Sequence, residues 1–149
     1  LLFTAAHEGA VVLHRRPLDS DVLTVIDSAE APDTIDFVTT SPFPGGGVAW
    51  TRGRCGPGTR PVTRATRGGR FVDLEGTPVA AARPVGWLPD GSLVATDGGV
   101  CAGDEAGRVV VFKDGEASVL TASGRAPAVR AALPPPPEPP AEIPDQAPA

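Results

Sequence analysis

The chain contains no tyrosine and no methionine, and phenylalanine and tryptophan together make up only 5% of its 149 residues. A core dominated by aromatic packing is therefore excluded, and most buried side chains must be aliphatic. Lysine occurs once, at Lys113, against twelve arginines, and the net charge is -5. No broad basic face is available, which excludes a general nucleic-acid binder. No apolar run approaches the roughly 18 residues of a membrane-crossing helix, and no secretory leader is visible. The chain opens on Leu1-Leu2-Phe3-Thr4 without an initiator methionine. This gives the expectation of a processed or truncated piece whose leader or anchor lay upstream. Two cysteines and two histidines, His7 and His14, lack zinc-ligand spacing, and no cofactor is expected.

What the chain has in abundance is turn chemistry. Glycine and proline each occur 18 times, and the apolar fraction is 41%. Such a composition fits many short strands joined by turns. Period-2 and β-branched segments predict strands over residues 1–6, 10–16, 21–26, 34–40, 47–52, 60–66, 70–74, 92–96, 108–112 and 117–121, and the stretch from Pro84 into the Pro89-Asp90-Gly91 turn reads as a further short strand. Residues 28–33 are polar and contain a proline, which predicts a connection. Gly68-Gly69 and Asp114-Gly115 predict hairpin turns, because glycine accepts the positive φ they need. Residues 126–133 are open to a helix or a last short strand. From Pro134 onward each proline removes a ladder donor, so 134–149 are expected to be an extended, disordered tail. That tail reads as a linker or, less simply, as a ligand for a proline-recognising groove. The rest, residues 1–133, forms one domain.

Two turns organise the pattern. Pro84-Val85-Gly86-Trp87-Leu88-Pro89-Asp90-Gly91-Ser92-Leu93 recapitulates Ser41-Pro42-Phe43-Pro44-Gly45-Gly46-Gly47-Val48 at an offset of about 45 residues, pairing Pro44 with Pro89, Gly46 with Gly91 and Val48 with Leu93. Cys55 and Cys101 follow the same spacing with one inserted residue. A period near 40–45 residues with four strands per unit is the sequence signature of a β-propeller blade, which cannot bury its faces alone.

The Trp87-x-Pro89-Asp90-Gly91 turn, with its preceding Pro84 and following Leu93-Val94-Ala95, resembles the repeat of TolB-like and related WD-type propellers. Leu88 stands where serine is usual, and the copy around Pro44 lacks the tryptophan and the aspartate. The resemblance spans about two repeats, residues 34–121. It implies an all-β, partial propeller of about three four-stranded antiparallel blades and a protein-docking scaffold, and it brings no catalytic residue. Counting strands gives the last three of an opening blade, two full blades and the start of another. Closed rings usually have more, so the expected partners are a docked protein, the remaining blades, or another copy of the chain.

Candidate chemistry is sparse. Cys55 and Cys101 suit either a disulfide, which favours an extracytoplasmic location, or two free thiols, since loops on adjacent blades can lie beyond the about 7 Å Cα limit. Arg52, Arg54, Arg60, Arg64, Arg67 and Arg70 form a local basic region. It reads as an anion or acidic-partner site, or as solvent-facing charge that guards strand edges. Trp87 itself reads most simply as a packing residue. Asp97, Asp104 and Glu105 share a Gly-rich loop but lack calcium-loop spacing, and Gly45-Gly46-Gly47 lacks the features of a phosphate loop. No nucleophile, base and orienter stand in a recognisable pattern. The expected function is a non-catalytic, extracytoplasmic scaffold. The alternatives are a propeller that binds a small anion through the arginines, or a propeller-fold hydrolase whose catalytic part lies elsewhere.

Overall fold

A computed structural model describes residues 1–101, 106–124 and 128–129. Among the described residues there is no helix, and all eleven strands pair antiparallel. β1 (Leu2–His7), β2 (Ala10–Arg15) and β3 (Thr24–Glu30) form the first sheet. β4 (Thr34–Thr40), β5 (Gly47–Gly53), β6 (Val62–Arg67) and β7 (Arg70–Val72) form the second. β8 (Arg83–Trp87), β9 (Leu93–Thr96), β10 (Gly107–Lys113) and β11 (Glu116–Gly124) form the third. Each sheet is a meander, with sequential strands side by side.

The hairpins form where glycine permits a left-handed backbone. Gly68 and Gly69 lie at φ 58° and 77°, and Asp114 and Gly115 at 49° and 90°; all four residues connect adjacent strands of a pair. The two organising turns are copies in their hydrogen bonds as well as their spacing. Gly46 N donates to Phe43 O at 3.0 Å, and Gly91 N to Leu88 O at 3.0 Å. The copying extends to burial. Val48 and Trp50 of β5 pack toward the first sheet, and their counterparts Leu93 and Ala95 of β9 pack toward the second.

The second sheet is the middle layer. One of its faces joins Ile35, Val48 and Trp50 to Leu13 and Ala29 of the first sheet. The other joins Ala49 and Ala65 to Trp87, Leu93, Ala95, Val110 and Phe112 of the third. Alternation along β5 and β6 divides neighbouring residues between these two cores. The 73–82 connection carries Leu74, Val79 and Ala82 into the second core, and Thr63 N and Oγ1 tie it down by donating to Ala80 O and Ala82 O.

The structure corrects the reading at the first sheet. β3 covers Thr24–Glu30 rather than 21–26, and the supposed connection at 28–33 shrinks to a tight turn closed by Asp33 N donating to Glu30 O at 2.9 Å. Ser28, Ala29 and Glu30 pair with Val12, Val11 and Ala10. Their polarity misleads because β3 is an edge strand whose polar side chains face solvent or a neighbouring sheet.

The second sheet reaches the third through a ten-residue crossing from its last strand, and β4 and β5 both lie against β8. The first sheet passes straight from β3 into β4, and β2 and β3 adjoin β4. Asp27 of β3 sits over β5 and β6, and the first sheet holds three strands where the second and third hold four. Residues 134–149 and most of 126–133 lie outside the described residues. The described Val129 sits so close to β8 that a Cβ on Gly86 would be 3.1 Å from its own Cβ.

Candidate functional site

The six arginines do not converge. β5 and β6 pair Trp50 with Arg64 and Arg52 with Val62, which directs Arg52 and Arg64 to the first sheet. There Asp27 receives them. Its carboxylate accepts from Trp50 Nε1 at 2.8 Å and lies 3.4 Å from Arg64 Nη1 and 3.8 Å from Arg52 Nε. Arg52 Nε also donates to Ser28 O at 3.0 Å. Asp27 retains only 10% of its side-chain exposure, so this carboxylate is a buried tie between two sheets. Arg67, an odd number of residues from Arg64, points the other way and lies 3.5 Å from Asp114. Arg54, Arg60 and Arg70 are exposed and stand apart in a loop and a hairpin.

Cys55 follows β5, Cys101 follows β9, and a disulfide joins them with their Cα atoms 5.6 Å apart. The loops at equivalent places in the two copies therefore come well within bridging distance. Asp97, at the start of the second of these loops, accepts from Arg108 N at 2.5 Å and Arg108 Nε at 2.6 Å. Burial works to raise its pKa, but the hydrogen bonds and charge of Arg108 outweigh that and hold the carboxyl below its ordinary value. Asp104 and Glu105 lie outside the described residues. Among the described residues no three His, Cys, Asp or Glu side chains gather as a metal site. His7 reaches only its neighbour Glu8, whereas His14 stacks on Phe3 with its Nδ1 buried and unpartnered.

The resemblance motif lines a cleft. Trp87, Gly91 and the β10–β11 turn on the third sheet face Ala65, Arg67, Phe71 and Val72 on the second across a cavity of about 310 Å³. Gly91 is required by its backbone, with φ at +83°, whereas a Cβ there would meet only the movable guanidinium end of Arg67. Asp90 turns back to accept from Ser92 N at 3.0 Å and from Lys113 Nζ at 2.9 Å. The Lys113 bond lowers the Asp90 pKa well below the carboxylate range, and the same bond raises that of Lys113. Pro89 occupies the exposed bend beside it. Trp87 is 5% exposed, and its indole Nε1 is buried without a partner.

Sequence reasoning did not single out Asp27, nor Phe71, Lys113 and Asp114 as cleft residues. The period-2 parity of the arginines was the available signal: among the strand arginines it separates Arg67 from Arg52 and Arg64. No protein-family model, curated protein or solved structure matches this chain.

Proposed function

We propose that the chain is a segment of a β-propeller related to the TolB-like and WD-type repeats, acting outside the cytoplasm as a non-catalytic docking scaffold for a protein partner. The second and third sheets support the blade reading, because their strand order, turn hydrogen bonds and inward faces repeat at one spacing. The disulfide supports an oxidising compartment, and among the described residues no helix is long and apolar enough to cross a membrane.

The observation that carries the docking reading is the uncovered face of the first sheet. Phe3, His14 and Val25 align across β1, β2 and β3. Phe3 and Val25 are exposed, and Val22 and Leu23, just before β3, are exposed as well. A blade buries this face against a neighbour, which here is a further blade or a docked protein. The test is affinity isolation with wild-type chain and with a Phe3→Glu/Val25→Glu variant whose circular dichroism matches wild type. A specific partner recovered by wild type and lost by the variant supports the proposal. Equal recovery by both overturns it.

A further inference from the structure

The end strands of the three sheets differ. β3, β4 and β8 lie against a neighbouring sheet, which leaves β1, β7 and β11 as edges. β7 is three residues long and begins on Arg70, and β11 pairs with β10 through two register shifts. Shortness, charge and bulges are the means by which an edge avoids pairing with another chain. β1 has none of them. It is six residues long, carries no Asp, Glu, Lys, Arg or Pro, and keeps one register on β2 from Leu2↔Arg15 to His7↔Ala10. Leu1 and Arg16 exchange both backbone hydrogen bonds, so alternation turns the N–H and C=O groups of Leu2, Thr4 and Ala6 away from β2. Among the described residues no strand pairs with that edge.

A cavity of about 480 Å³ adjoins the same strand, with Leu2, Arg15, Phe43 and Val48 among its lining residues. A residue placed opposite Leu2 on an added strand faces the same way as Leu2 and lies within about 5 Å of it. Arg15 is the partner of Leu2 on the other side, and among the described residues no carboxylate pairs with it. A carboxylate on the added strand complements this charge. A second copy of β1 would bring no carboxylate there, because β1 has none.

We propose that β1 receives an extended strand of a partner polypeptide, bonded through its backbone to Leu2, Thr4 and Ala6, with an acidic side chain opposite Leu2 that reaches Arg15. The backbone bonds give affinity and the alternate side chains give selectivity.

The probe is the hexapeptide Ac-Thr-Val-Thr-Val-Glu-Thr-NH2, whose glutamate falls opposite Leu2 when it pairs antiparallel with β1. Methylating the backbone nitrogen of its third residue removes a donor that faces β1, and methylating that of its fourth removes one that faces away. The three peptides are titrated into the full chain labelled with ¹⁵N. The expected result is a saturable shift centred on β1, with slower amide exchange at Leu2, Thr4 and Ala6. Methylation of the third residue weakens binding about tenfold or more, and methylation of the fourth leaves it unchanged. Replacing the glutamate by glutamine weakens binding to wild type and not to Arg15→Gln. Thr4→Pro, which an edge strand accommodates, abolishes binding while the Phe3 and Ala5 amides stay protected. Absence of saturation, equal weakening by both methylations, or a glutamate preference that survives Arg15→Gln each overturns the proposal. So does protection of Leu2, Thr4 and Ala6 that grows with chain concentration alone, which assigns the edge to a second copy. If Thr4→Pro fails to fold, the two methylated peptides on the wild-type chain still decide it. The titration needs no natural partner, and partner isolation probes the face of the sheet rather than its edge, so the two readings fail separately.

Discussion

Between the first and second sheets, Asp27 gathers Trp50, Arg52 and Arg64. Between the second and third, the buried layer holds Trp87, Leu93, Val110 and Phe112, and a disulfide closes one end. The first junction is directional. A carboxylate with three donors tolerates one register of β3 over β5 and β6, because a one-residue slip turns Asp27 away. The second is largely non-directional, and its specificity comes from the shape of the turns and from a covalent tie. One fold therefore adds a polar tie to the apolar contacts of the first junction and a covalent tie to those of the second.

Removing the tie is expected to have the largest effect. A Cys55→Ala/Cys101→Ala variant, which frees a span of 46 residues, should lose roughly 4 kcal/mol of stability by chain entropy. The lower midpoint should appear in denaturant unfolding, and faster hydrogen exchange should concentrate in β8–β11. Asp27→Ala should cost about 2 kcal/mol, because it leaves the Trp50 N–H buried without an acceptor. Here the faster exchange should fall on β1–β3, and a change spread evenly over all three sheets would break the contrast between the junctions. Gly47→Ala should cost about 1 kcal/mol or more by overpacking, since its new Cβ would lie 2.5 Å from Trp87 Cη2. Its near-ultraviolet spectrum should change at tryptophan while Asp27→Asn leaves Trp87 unaffected.

The smallest effect concerns pH. The Asp97 carboxyl is held below its unfolded value of about 3.9. Its contribution is therefore present above that value and is lost as pH falls through the folded pKa. Arg108→Ala removes the cause, so the variant should lose less stability than wild type between pH 5 and pH 2. Acid unfolding curves that remain parallel would show that the Asp97–Arg108 pair adds nothing to the third sheet.

Much of the second and third sheets was legible in the order of residues. Gly68-Gly69 and Asp114-Gly115 marked their hairpins, and the offset between Gly46 and Gly91 marked their equivalence. These signals are local or periodic, so they survive in a linear string. β3 was misplaced because Asp27, Ser28 and Glu30 look like a loop until Trp50, more than twenty residues later, supplies the reason for a carboxylate inside. The arginines between 52 and 70 looked like one cluster because their closeness along the chain hides the alternation of strand faces. The cleft was illegible for a related reason. Ala65, Phe71, Trp87 and Phe112 come from two sheets, and only the stacking of those sheets makes them neighbours.

Gly86 has a consequence for how this molecule tolerates change. The residue is buried in β8, and Val129 rests where its side chain would begin. The absent carbon is a socket, and the Val129 side chain is fitted to it. Enlarging residue 86 by a single methyl would place it 3.1 Å from the Val129 Cβ, so Val129 would have to give by a few tenths of an ångström while the strand pairing of β8 with β9 stays in place. A hydrogen atom in one strand thus determines how closely Val129 can settle against it.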